Sequence, residues 1–191
     1  MTEDWPVELR GVTESVVTTR GPNDRWNVAA LGLLAPTETD AVVTARTWGR
    51  TRTWRNFRKR EGGYVQFVTD PVVFVRAALE RYEVEEPVLS SAAAWVRVRV
   101  EATETGTDAG TQWVDWRLHP EDSERRVTQV PTFNRGYAAV IEATVAASRL
   151  DVEGYDTDRL RERISFFENV ATRCGGPREK EAFERLRRAV E

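Results

Sequence analysis

Fifteen consecutive residues, Arg46-Thr-Trp-Gly-Arg-Thr-Arg-Thr-Trp-Arg-Asn-Phe-Arg-Lys-Arg60, carry seven cations and no acid in a chain whose net charge is -3. Thr51, Thr53 and Asn56 stand among the arginines, close to the expected start of a short helix that runs on to Gly62. Hydroxyls, free backbone N–H groups at a helix N-terminus and one or two guanidiniums together make a compact site for a dianion such as a phosphate group. Two other readings compete. The segment can be a solvated arginine-rich face with Trp48, Trp54 and Phe57 turned into the core. It can also be a nucleic-acid groove, with Arg and Lys on backbone phosphates and aromatic rings stacked on bases. The hydroxyl cluster favours a small phosphorylated ligand, because a nucleic-acid stripe needs no such cluster.

Other chemistries lose their usual parts. His119 and Cys174 are the only residues of their kinds, which excludes an intrachain disulfide and a Cys/His zinc cluster and leaves little scope for Cys-His nucleophilic catalysis. His119 before Pro120 reads as a turn residue, and Cys174 before Gly175-Gly176 reads as a helix end. Glu85-Glu86 and Glu121-Asp122 adjoin prolines and lack an apolar setting that would raise a carboxyl pKa. Asp70 before Pro71 reads as a helix cap. No Gly-x-Gly-x-x-Gly fingerprint is present, which argues against a separate dinucleotide-binding domain.

The elements that must hold these residues follow from composition and periodicity. A chain of 191 residues that is 40% hydrophobic and 31% charged, with seven Trp and seven Phe, has material for a real core. All but Lys59 and Lys180 of its 28 cations are Arg, a compositional background against which only the 46–60 cluster stands out. The overall negative charge gives no global pull toward nucleic acid. The acidic N-terminus lacks a basic start and apolar core, and no run approaches the roughly 18 apolar residues of a membrane helix, so a cytoplasmic location is expected.

Strands dominate the first 130 residues. Segments 7–20, 26–35 and 41–47 are rich in Val and Thr, and Gly21-Pro22-Asn23-Asp24 between the first two predicts a hairpin. Further strands are expected over 64–69 and 95–101, where Val96, Val98 and Val100 alternate with Arg97, Arg99 and Glu101. A polar loop over 105–110, a strand over 111–118 and a short one near 125–130 follow. Helices are predicted from Pro71 to about Arg81, from Asn134 to Leu150, from Asp156 or Thr157 to Arg173, and beyond Gly175-Gly176-Pro177. Clustered strands favour an antiparallel barrel with helices over a parallel sheet.

Several pieces, in order, resemble the FMN-binding split-barrel proteins of the flavin-reductase-like class, and most closely a largely archaeal branch with a helical C-terminal extension. They are Trp26-Asn-Val-Ala-Ala-Leu-Gly32, Thr53-Trp-Arg-Asn-Phe57, the strand ending Thr69-Asp70-Pro71, and Asn134-Arg135-Gly136 opening a helix. The resemblance spans about residues 8 to 150. It implies an α+β fold: a split β-barrel domain over 1–150 and a C-terminal helical hairpin over 151–191. It further implies bound FMN, with Asn27, Val28 and Ala29 along the ring, Thr53 and Asn56 beside it, and Arg46, Thr51 and Arg52 at the phosphate and ribityl chain. A homodimer with flavin at its interface would let Asn134 and Arg135 reach the cofactor, and NAD(P)H would supply electrons in a flavin reductase-like oxidoreductase. The family often has Pro at position 30 and Asn at position 66, where this chain has Ala30 and Gln66. The alternative function is a non-catalytic module that holds RNA or a nucleotide on residues 46–60.

Overall fold

A computed structural model of the chain describes residues 5–36, 42–108, 110–128 and 132–191. These fall into two compact units, residues 1–69 with 82–128 and residues 70–81 with 129–191.

The first unit is an antiparallel split barrel. Its strands are β1 (Val12–Arg20), β2 (Trp26–Leu34), β3 (Val43–Trp48), β4 (Gly62–Val68), β5 (Tyr82–Val84), β6 (Ala92–Asp108) and β7 (Thr111–Arg125), with helix α1 (Arg52–Arg60) between β3 and β4. The order β1-β4-β6-β7-β3-β2 returns to β1, so six strands close on themselves and leave no long open edge. Closure is uneven. β1 and β2 pair over their full length from Val12↔Leu34 to Arg20↔Trp26, whereas β2 meets β3 only at Leu33↔Ala45 and Leu34↔Thr44. At its other end β2 pairs with β5 through Trp26, Asn27 and Val28. Among the described residues, positions 29–32 of β2 thus have a strand partner on the β1 side alone, and this is where the barrel splits.

Alternation fills the interior. Val96, Val98 and Val100 of β6 are buried, with Arg97, Arg99 and Glu101 outside, as the period-2 pattern requires. Val17, Leu33, Ala45, Val65, Val114, Trp116 and Leu118 join them, and Phe57 of α1 plugs the core edge-on to Trp116 at 5.3 Å between ring centroids. Two sequence expectations change here. Residues 105–108 are strand instead of loop, because Thr105–Asp108 pair one by one with Thr111–Val114. His119 is a strand residue, not a turn: β7 runs through Pro120, which falls where the β6–β7 register shifts between Arg97 and Val98. A proline costs no ladder hydrogen bond at such a bulge.

The second unit is helical, with α2 (Pro71–Leu79), α3 (Arg135–Ala147), α4 (Thr157–Cys174) and α5 (Pro177–Val190). Each start is written in sequence. The Asp70 and Asp156 side chains accept from the Val72 and Arg159 N–H groups, Asn134 accepts from Gly136 and Tyr137, and Pro opens α2 and α5. Ala139, Ala143, Ala147, Ala171 and Ala182 let the helices approach around Val140, Phe183 and Leu186. Closest of all is Gly136, where a Cβ would lie 2.4 Å from the Gly175 Cα. The hairpin of α4 and α5 turns at Gly175-Gly176 as expected, and α3, placed with the barrel by the sequence-based boundary at 150, clusters with the other helices. No helix among the described residues is long and apolar enough to cross a membrane.

Candidate functional site

Helix α1 starts as its sequence dictates. Thr51 is the N-cap, its hydroxyl accepting from the Trp54 N–H at 3.2 Å. The N–H groups of the first turn have no partner inside a helix and point outward from its N-terminus, where an anion is favoured. Thr53, Asn56 and Phe57 form the buried stripe of the helix, and the cations fall on its remaining faces.

The buried stripe meets the end of β1 that pairs with the start of β2. Asn56 Nδ2 donates to Thr19 Oγ1 at 2.9 Å and to the Thr19 carbonyl at 3.4 Å. Thr19 is the register partner of Asn27 on β2, and Asn27 is the partner of Glu83 on β5. Arg52 closes the circuit with an ion pair to Glu83 at 2.8 Å. Asn27, Val28, Arg52, Thr53 and Asn56 therefore gather around one corner of the barrel, beside the half-buried Ala29 and the unpaired edge of β2. Thr19 and Glu83 belong to this corner but were not singled out by sequence. Neither type nor local spacing distinguishes them; only strand pairing brings them in.

Three candidate positions have other surroundings. Arg46 forms a bidentate pair with Asp115 at 2.6 and 2.8 Å and lies over the Trp113 ring at 3.9 Å and the Trp48 ring at 5.6 Å. That carboxylate pushes the arginine's already high pKa further up. Asn134 caps α3 and Arg135 is exposed at its first turn, both in the helical unit. Gln66, where the resembled family often has Asn, is fully buried and fully engaged. Its Nε2 donates to Thr18 Oγ1 and to the Pro87 carbonyl, each at 3.0 Å, while its Oε1 accepts from the Leu89 N–H at 2.7 Å. The side chain fastens the 85–90 loop to β1 and β4 and has no amide hydrogen pointing elsewhere.

Of the seven cations in 46–60, Arg46 and Arg52 hold carboxylates, Arg50 leans on Gln112 at 3.3 Å, and Arg58 stacks over Trp54 at 5.2 Å. Phe57 is buried and Trp54 packs on the core, but Trp48 is 42% exposed. Among the described residues no cluster of three His, Cys, Asp or Glu side chains is placed to hold a metal ion. His119 Nε2 is buried 3.4 Å from a Glu101 carboxylate oxygen without a hydrogen bond, and Cys174 is exposed.

A closed antiparallel barrel split along β2, with a polar corner beside α1, in a chain that also has a helical unit, defines the class: a split-barrel protein of the FMN-binding type. The chain belongs to the family described as protein of unknown function (DUF447), whose N-terminal domain matches residues 13–127 and whose C-terminal part matches residues 134–188. Among solved structures it is similar to the FMN-bound protein MM1853 from Methanosarcina mazei, of the same family, with 27% identity, 95% of this chain and 96% of that chain covered, and a TM-score of 0.79. More distant matches include an FMN-binding protein from Thermus thermophilus with bound p-hydroxybenzaldehyde, at 15% identity, 63% and 77% coverage and a TM-score of 0.43. The styrene monooxygenase flavin reductase from Pseudomonas putida S12 matches at 11% identity, 63% and 93% coverage and a TM-score of 0.41.

Proposed function

We propose that this protein binds FMN and uses it as a flavin reductase-like oxidoreductase with NAD(P)H as electron donor. The observation that carries the binding half is the likeness, across 95% of the chain, to an FMN-bound relative of the same family. The donor set fits. A phosphorylated flavin needs an anion site, and α1 offers first-turn N–H groups with Arg52 and the Thr51 hydroxyl at its start. It also needs hydrogen-bonding partners for the polar edge of a flat ring, and among the described residues positions 29–32 of β2 keep one backbone edge free of a strand partner.

FMN, when bound, supplies hydride and electron transfer, which is why a chain with one His and one Cys is not short of chemistry. The residues of this chain bind and orient. Arg52, tethered to Glu83, is held near the helix start instead of sweeping through solvent. Asn56, by fixing Thr19, keeps β1 and β2 in place under the site, a positioning role. The assembly we favour is a homodimer with the cofactor at its interface, to which Asn134 and Arg135 would contribute from the partner. The alternative use of residues 46–60 as an RNA-binding stripe has less support, since the likeness across 95% of the chain is to an FMN-bound relative.

Titration of the purified protein with FMN, followed by flavin absorption and fluorescence, tests the binding half: uptake of one FMN per chain is expected, and a protein that takes up none overturns it. Arg52→Gln is expected to weaken FMN about tenfold, the loss of one charge-assisted contact. NADH and NADPH oxidation by the loaded protein, with free FMN or a dye as acceptor, tests the catalytic half. A loaded protein that oxidises neither donor restricts the function to binding.

A further inference from the structure

Next to the buried stripe of α1 runs a second stripe, Trp54 and Arg58, and it faces a cleft of about 310 Å³. The cleft is bounded by the Gly49-Arg50 entry to α1 and by the tip of the β6–β7 hairpin, with Gly106 on one strand and Gln112 and Trp113 on the other. None of these residues was assigned to FMN by the family resemblance. Its walls pair aromatic rings with cations, and among the described residues no carboxylate lines it. Arg58 lies over the Trp54 ring at 5.2 Å and makes no ion pair among the described residues, so stacking holds the guanidinium while its N–H fork stays available. Arg50 gives one N–H to Gln112 at 3.3 Å and keeps the others.

Of the nearby acids, Asp115 is neutralised by Arg46, and Glu104 and Asp108 are exposed to solvent on the same hairpin. The indole of Trp113 is set in place by a missing side chain: Gly106 is its cross-strand partner, and a Cβ there would lie 2.4 Å from the ring. Glycine inside a strand weakens the strand and marks such a close approach. The indole is thereby fixed in advance as a wall of the cleft.

Rings for walls and two guanidiniums that hold no carboxylate among the described residues suit a flat heteroaromatic ring that carries an anionic group. A volume near the lower end of the roughly 300–1,000 Å³ usual for ligand pockets admits one ring with its sugar and phosphate, not a dinucleotide. We propose that this cleft binds a nucleoside monophosphate unit, free or as one half of a larger nucleotide, with the base against Trp54 and the edge of the Trp113 indole, whose face Arg46 covers, and the phosphate on Arg50 and Arg58. The proposal rests on the cleft itself and stands whether or not FMN occupies the split of the barrel.

Isothermal titration of the full chain with AMP, adenosine, inorganic phosphate and a short oligoadenylate tests it. One AMP per chain is expected, bound at least about tenfold more tightly than adenosine or phosphate alone, because ring and anion act together. Arg58→Gln and Arg50→Gln, both at exposed positions, are each expected to weaken AMP about tenfold and to leave FMN affinity unchanged. Absence of AMP binding overturns the proposal, as does AMP affinity indifferent to both substitutions. Equal losses of FMN and AMP, with the two ligands competing, would make the cleft the flavin's own seat and also overturn it. Oligoadenylate bound far more tightly than AMP, with a steep salt dependence, would assign the cleft to RNA instead. FMN uptake is read separately by its absorption, so failure of one reading is distinguishable from failure of the other.

Discussion

The two units solve the problem of burial in opposite ways. Nine polar side chains are buried among the described residues, and eight of them (Ser15, Thr18, Thr19, Asn27, Thr47, Thr53, Asn56 and Gln66) lie in the barrel. The ninth, Thr144, donates to the Val140 carbonyl of its own helix. The helical unit buries alanines instead and keeps ion pairs on the surface, as in Arg163–Glu142 and Arg188–Glu184. A buried polar group is costly unless it is matched, so a polar interior rigidifies only when each member is satisfied. The barrel accepts that cost where the candidate site sits. The helices, packed through small apolar contacts, carry no comparable polar interior.

Gln66→Leu should mark the difference most strongly. It strands the Leu89 N–H and takes one hydrogen bond each from Thr18 Oγ1 and the Pro87 carbonyl, which keep the bond that the Thr18 hydroxyl donates to that carbonyl. One orphaned buried donor costs about 1–3 kcal/mol and each further lost hydrogen bond about 1 kcal/mol, so a loss of about 3 kcal/mol is expected. Denaturant unfolding measures it, and hydrogen exchange should place the loosening in β1, β4 and the 85–90 loop. A loss below about 1 kcal/mol would mean that the network is dispensable and would break the contrast. On the helical side, Gly136→Ala tests packing instead of polarity. The new Cβ meets backbone, the Gly175 Cα at 2.4 Å, so a helix start must move. About 2 kcal/mol is expected despite alanine's better helix propensity, as for an overpacked core. A neutral or stabilised variant would show that the helices have slack.

How far the sequence revealed these two interiors depends on the range of the interactions. Helix starts were legible because a cap is local: Asp70-Pro71, Asn134, Asp156 and Gly176-Pro177 act within four residues. The barrel walls were legible from the alternation of Val96, Val98 and Val100. Strand β5 was not, since three half-buried residues carry no period. His119-Pro120 suggested a turn because proline lacks a donor, and only the β6 register reveals the bulge that absorbs it. In the site, Thr53 and Asn56 stood out by type and position. Their partners Thr19 and Glu83, and Asp115 opposite Arg46, are distant in sequence and visible only once the strands pair. Ala139, Ala143, Ala146 and Ala147 build much of the α3 core, because close helices leave room for little else.

The surface pairs of the helical unit should matter little by the same contrast. Arg163→Gln removes an ion pair to Glu142 whose two side chains are each half exposed. Solvent and salt screen such a pair, so a change of about 0.5 kcal/mol or less is expected. A loss several times larger, persisting in high salt, would mean that charge and not apolar packing holds these helices.

The smallest effect is nil at neutral pH. Burial, followed by the charges of Asp70 and Glu179, pushes the Tyr137 pKa above its ordinary value of 10.0. The folded chain therefore keeps the phenol proton over a range in which the unfolded chain has lost it. With more protons bound in the folded state, stability must fall as pH rises, beginning near the unfolded value of about 10 and ending at the higher folded value. Below that window the group contributes no pH dependence. Urea unfolding of the native protein and of Tyr137→Phe at pH 8 and near pH 11 measures the term, because Phe cannot titrate. The native protein is expected to lose more stability than the variant between the two conditions; equal losses would mean that the phenol ionises in the folded chain as easily as in water, and that this start of α3 is open to solvent.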